Sequence, residues 1–145
     1  MVKYFRKKSH SIYDNKFHLA WIVKYRKKIL VGDIAYKTRD IIRQICEELQ
    51  VQVLKGNVGP DHIHILVSIP PNLSVSKVMQ YLKGKSSRKL QQEFPSLRKD
   101  FWGRHLWAIG YYSATSGNVT DELIMKYIEE QGQNPDDDEF FRIQP

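Results

Sequence analysis

Two periodicities alternate along this chain, and their order restricts the folds open to it. Between residues 17 and 25 the apolar side chains Phe17, Leu19, Trp21, Val23 and Tyr25 recur at every second position. That is the pattern of a strand with one buried face. From Ala35 to Gln50 the spacing changes, and Ile41, Ile42, Ile45, Cys46 and Leu49 recur at three and four. This predicts an amphipathic helix, with Cys46 acting as a small core hydrophobe. A second strand is expected from Val51 to Val58, a turn at Gly59-Pro60-Asp61, and a third strand from His62 to Ser68. Pro70-Pro71 closes that strand, and Ser74 is placed to cap a helix carrying Val75, Val78, Met79 and Leu82. Gly84 predicts a break there with a restart at Ser86-Ser87, because glycine costs about 1 kcal/mol relative to alanine inside a helix. A fourth strand is expected within Leu106 to Ala114, then a flexible connection Thr115-Ser116-Gly117-Asn118. Thr120 caps a last helix with Glu122 in its first turn.

The resulting order, β-α-β-β-α-β plus a terminal helix, predicts an α+β fold of the ferredoxin-like (RRM-like) kind. Its antiparallel sheet carries both helices on one face. A chain of 145 residues suits one such domain, here expected over residues 1–132 with an acidic tail at 133–145. The fold hosts many activities and selects none of them.

Charge is distributed unevenly. Residues 1–118 carry 21 Lys and Arg against 8 Asp and Glu, whereas residues 119–145 carry 2 against 8. A body this basic attracts polyanions, of which nucleic acid is the commonest, although charge alone fits a solubilising surface equally well. The absence of any run of eighteen apolar residues excludes a spanning helix. The basic N-terminal stretch lacks the apolar segment of a secretory signal. A single cysteine excludes a disulfide framework within the chain, and a cytoplasmic location is expected.

The triplet His62-Ile63-His64 is the most informative. Alternation on a strand puts both imidazoles on one face with Leu66 and Ser68, while Ile63, Ile65 and Val67 take the core side. About 7 Å apart along the strand, the two rings can converge on one metal ion. Spacing alone slightly favours two surface histidines. On the last helix Tyr127 and Gln131 lie one turn apart. A tyrosine hydroxyl can attack a phosphodiester and conserve the bond energy for religation. Its ordinary pKa of about 10 demands a polarised phosphate or a nearby base. Gln131 offers an amide oxygen as a third ligand. By periodicity alone Tyr127 reads more readily as a core residue than as a nucleophile.

Taken together, Pro60-Asp61-His62-Ile63-His64-Ile65-Leu66-Val67 resembles the HUH signature, and Tyr127-Ile128-Glu129-Glu130-Gln131 resembles the tyrosine helix of single-tyrosine HUH transposases of the insertion-sequence 200/605 family. Further similar stretches run from Phe17 to Lys27, from Leu73 to Ser87 and from Trp102 to Trp107. The likeness thus spans roughly Phe17 to Gln131; the acidic tail has no counterpart in it. The resemblance implies that His62, His64 and Gln131 bind a divalent metal, Mg²⁺ or Mn²⁺, and that Tyr127 is the nucleophile toward single-stranded DNA. It also implies a 5′-phosphotyrosine intermediate, recognition of hairpin ends, nucleoid association during transposition, and a homodimer in which the tyrosine helix is exchanged between subunits. Residues 115–118 would then be the hinge.

For DNA contacts, Arg26 and Lys27 after the first strand and Lys83, Lys85 and Arg88 on the second helix are candidates, with Tyr25, Tyr81, Trp102 or Trp107 as stacking platforms. His18 and His105 read as structural or surface histidines. Three alternatives share parts of this pattern: a domesticated relative that nicks repeated palindromes, a non-catalytic single-strand-binding module, and a phosphodiesterase using activated water.

Overall fold

The computed structural model describes residues 6–8, 11–101, 105–115 and 142–143. The elements are β1 (Arg6–Lys8), β2 (Ser11–Tyr13), β3 (Lys16–Ile22), α1 (Gly32–Glu48), β4 (Gln52–Gly59), β5 (His62–Ser68), α2 (Val75–Glu93), β6 (Tyr112–Thr115) and β7 (Arg142–Ile143). Short 3₁₀ turns occupy Lys24–Arg26 and Pro95–Lys99. β1 and β2 pair as a separate hairpin. The main sheet runs β6-β3-β5-β4-β7, and its first four strands are antiparallel. The expected ferredoxin-like order is therefore present, with β7 added in parallel beside β4 through Asn57 and Val58. β7 belongs to the segment read as an acidic tail; residues 136–139 of that segment lie outside the described residues.

The core follows the two periodicities. Leu19 and Trp21 of β3, Val58 of β4, and Ile63, Ile65 and Val67 of β5 form one buried cluster with Ile41, Ile42, Ile45 and Cys46 of α1 and Val78, Met79, Leu82 and Leu90 of α2. Each such side chain contributes about 1.5–3 kcal/mol of burial, an upper figure because the unfolded chain is already partly compact. Cys46 is part of this core, and burial pushes its thiol up to about 12, which leaves it inert as a nucleophile.

Three sequence expectations need correction. α2 runs unbroken through Gly84, because Leu82, Ser86 and Leu90 are buried on either side of it, and their packing outweighs the roughly 1 kcal/mol propensity cost. Strand β3 stops at Ile22 rather than Tyr25. Val23 forms an isolated bridge with Trp107, after which Tyr25 and Arg26 adopt φ of 61° and 51°. The fourth strand of the ferredoxin pattern begins only at Tyr112 and takes in Thr115, which had read as part of the connection. The Ser74 cap is as expected: its hydroxyl accepts from the Lys77 amide at 3.1 Å.

Candidate active site

The second face of the sheet carries the imidazoles. In the register of the antiparallel ladders, His62 lies opposite Ile22 and Gly59, and His64 opposite Ala20 and Asn57. Neither histidine is a surface residue: His62 is fully buried and His64 half-buried. The His62 Nδ1 lies 3.1 Å from Oδ1 of Asp61, itself buried. Its Nε2 is buried with no hydrogen-bond partner among the described residues, and the same holds for Asp61 Oδ2. The ring packs so closely over Gly59 that a β-carbon there would come within 2.0 Å of Cε1. Glycine is therefore a steric requirement of the site and not only a turn residue.

His64 has a different neighbour. Its Nε2 lies 3.1 Å from Nδ1 of His18 on β3, and the rings stack with centroids 5.4 Å apart. One of these two nitrogens carries the proton they share. In the sequence His18 reads as a structural or surface histidine, and Asp61 and Gly59 simply as parts of a turn. A signal for His18 existed, since its position in the strand alternation puts it on the face opposite Leu19 and Trp21. In a ferredoxin-like sheet the first and third strands are adjacent, so that face is shared with His62 and His64.

Of these residues, His62 offers a nitrogen that fits a metal ion, whereas the His64 Nε2 is engaged by His18. A histidine whose Nδ1–H is held by a carboxylate presents an unprotonated Nε2 to a metal, and a buried Nε2 without a partner is costly unless something binds it. Among the described residues no group of three or more His, Cys, Asp and Glu is placed to hold an ion, so a bound ion would need further ligands from elsewhere in the chain or from substrate. Tyr127 and Gln131, like Trp102, lie outside the described residues.

The proposed DNA contacts separate into different places. A cleft of about 870 Å³ lies between α2 and the 105–110 segment, lined by Lys24, Lys83, Ser87, Arg88, Arg98 and His105 among others, with no carboxylate lining it among the described residues. Arg88 is exposed there. Lys83 is committed otherwise. Its ammonium donates to the carbonyls of Ala108 and Gly110 at 2.8 Å each, and burial lowers its pKa. Lys85 faces α1, 3.7 Å from Glu48. Lys27 pairs with Asp100 at 3.5 Å; Arg26 and its sequence neighbour Tyr25 are both exposed. Trp107 is corrected as a stacking platform: it is buried edge-on against Trp21 and donates from Nε1 to Ser86 Oγ at 2.9 Å. No helix among the described residues is long and apolar enough to cross a membrane.

A ferredoxin-like sheet bearing paired histidines opposite its helices is the framework of an HUH-type enzyme. The sequence profile of the family described as "Transposase IS200 like" matches residues 11–131. The ISDra2 transposase TnpA of Deinococcus radiodurans is 38% identical over 120 residues, covering 83% of this chain and 86% of that relative. The crystal structure of a transposase from Deinococcus radiodurans superposes with a TM-score of 0.79 at 32% identity, covering 87% of this chain and 97% of that one. A REP-associated tyrosine transposase bound to a REP hairpin shares the fold, with a TM-score of 0.53 at 15% identity over 91% of this chain and 74% of that one. The chain belongs to the IS200-like transposase family and is an enzyme of DNA transposition.

Proposed function

We propose that the protein cleaves and rejoins single-stranded insertion-sequence ends through a 5′-phosphotyrosine intermediate on Tyr127, with residues 1–132 as the catalytic domain. The observation that carries this reading is the buried His62 Nε2, without a partner among the described residues and two positions from His64 on the same strand face. His62, His64 and Gln131 would hold the divalent metal, and their two imidazoles and one amide oxygen suit Mn²⁺ somewhat better than Mg²⁺. When bound, the ion supplies Lewis-acid stabilisation of charge on a non-bridging phosphate oxygen. The Tyr127 Oη forms a bond to phosphorus as the bond to the 3′-oxygen breaks. The phenolic proton passes to solvent, and the leaving oxygen takes up a proton to become a 3′-hydroxyl. Attack by the 3′-hydroxyl of a new partner strand reverses these steps and frees the tyrosine.

Incubation with single-stranded element ends and Mn²⁺ or Mg²⁺ is expected to leave a nucleotide on Tyr127, read by mass spectrometry. Chelation or Tyr127→Phe removes the adduct; an adduct that survives in Tyr127→Phe overturns the assignment. A product cleaved without any protein adduct would instead favour activated water.

The cationic cleft supports a second element of this reading, binding of a folded DNA end on the helix side of the sheet. Arg88, with Lys24, Arg98 and His105, would follow the phosphates. Arg26 and Tyr25 extend that surface from a backbone held at positive φ, a conformation that costs bulky residues about 1–3 kcal/mol and tends to persist at functional sites. Hairpin affinity should fall steeply with salt and fall further in Arg88→Ala. The homodimer with exchanged tyrosine helices is tested by mixing Tyr127→Phe with His62→Ala: recovery of cleavage requires a site assembled from two subunits.

A further inference from the structure

We propose that Asp61 is a positioning residue for the metal site: its carboxylate fixes His62 in the Nδ1–H tautomer and strengthens Nε2 as a ligand. The proposal rests on the metal-binding reading above and adds a residue to it. In an isolated neutral imidazole the two tautomers are close in energy, so a site that needs a bare Nε2 must hold the proton on Nδ1. The 3.1 Å contact to Asp61 Oδ1 does this. Asp61 precedes β5 and escapes the strand alternation that would send adjacent side chains to opposite faces. Its backbone is fixed as well. The Asp61 carbonyl accepts from the Val23 amide at 2.8 Å, and the Pro60 carbonyl from the Leu30 amide at 2.9 Å. From the other side the ring is pressed onto Gly59, whose missing side chain leaves it one seat.

Charge argues in the same direction. Asp61 is buried, pairs with no lysine or arginine among the described residues, and has its Oδ2 without a partner there. A carboxylate removed from water is expensive unless positive charge stands nearby. His62 Nε2 would hold a divalent ion whose charge would offset that cost through the imidazole, and the Asp61 carboxylate would in turn make the ring a more basic ligand.

The test uses the full-length chain. Long-range ¹H–¹⁵N spectra of the metal-free protein with labelled histidine should show His62 protonated on Nδ1 alone. In Asp61→Ala the proton should move wholly or partly to Nε2. Calorimetric Mn²⁺ affinity should fall about 10–100-fold in Asp61→Ala. Asp61→Asn, which keeps an acceptor for Nδ1–H but loses the charge, should retain the tautomer and lose several-fold in affinity. An unmoved tautomer, a wild-type ring protonated at both nitrogens, or wild-type Mn²⁺ affinity in both variants overturns the proposal. If the alanine variant does not fold, the asparagine variant decides: unchanged affinity sinks the role of the charge, and a displaced tautomer sinks the role of the acceptor. Failure of the wild-type protein to bind Mn²⁺ would remove the metal reading itself, while the tautomer spectra would still judge Asp61.

Discussion

Strand β5 presents two buried faces that differ in kind. On one side the wholly apolar Ile63, Ile65 and Val67 disappear beneath α1 and α2. On the other, His62 is just as inaccessible, yet one of its nitrogens and one oxygen of the adjacent Asp61 are left without hydrogen bonds among the described residues. Burial alone therefore does not separate scaffold from site; along β5 the faces differ in whether they hide polar atoms without partners, although Trp21 Nε1 in the helix-side core also has none among the described residues. The helix-covered face gains stability from each group it hides. The histidine face gives up part of that gain, the kind of cost proteins accept at functional sites. A one-residue slip of β5 would exchange the two faces entirely, so the core isoleucines also fix where the imidazoles point.

The contrast breaks most sharply at Gly59. Gly59→Ala places a methyl group where the His62 ring now lies, and the ring must leave. Metal-dependent cleavage is expected to fall by a factor on the order of 100 or more, since loss of supporting contacts alone costs about 10–100-fold. Overpacking should lower stability by about 1–3 kcal/mol. Cleavage assays beside urea titrations check both, and near-normal cleavage would mean the ring is not held as described. The opposite experiment is Ile65→Ala on the helix side, expected to cost about 2–5 kcal/mol of stability with little change in Mn²⁺ affinity of the folded protein. If Ile65→Ala instead abolishes metal binding in folded protein, the two faces are not separable.

Much of this division could be read in advance. The order of strands and helices, the core side of β5 and the placing of His62 and His64 on one strand face all follow from spacing, because alternation and helical period are direct images of which side is dry. The parts that stayed hidden depend on distances between segments far apart in sequence. His18 meets His64 across 46 positions, and only the β3–β5 register makes them neighbours. Asp61 and Gly59 carried ordinary turn chemistry, and their second role appears only once the His62 ring is seen pressed between them. Lys83 reads in sequence as one more surface cation, whereas in the fold it binds the carbonyls of the 108–110 segment. Tyr25 was expected to continue the alternation, and the bridge from Val23 to Trp107 turns the chain away first.

A smaller effect is expected where the helix side uses polar groups of its own. Ser86 is buried in α2 and accepts from Trp107 Nε1. Ser86→Ala leaves that indole donor unpaired, which should lower stability by about 1–3 kcal/mol. Denaturant midpoints measure this directly. Cleavage per folded molecule should be unchanged, because the histidines lie across the sheet. A loss of cleavage beyond the unfolded fraction would show that the 105–110 segment transmits its position to the site.

The smallest change concerns Gly84, where sequence and structure disagreed. The residue sits in mid-helix, exposed, with open space where a β-carbon would go. Gly84→Ala should therefore stabilise the protein by about 0.5–1 kcal/mol through helix propensity and reduced freedom of the unfolded chain. Thermal unfolding would register it as a rise of a few degrees. Gly84 also lines the cationic cleft, so the same variant examines what the gap in the side-chain row is for. If DNA runs along the cleft without touching the α2 backbone, hairpin affinity stays level as stability rises. If affinity falls while stability rises, the bare backbone is itself a contact surface, and the propensity lost at Gly84 is retained for binding.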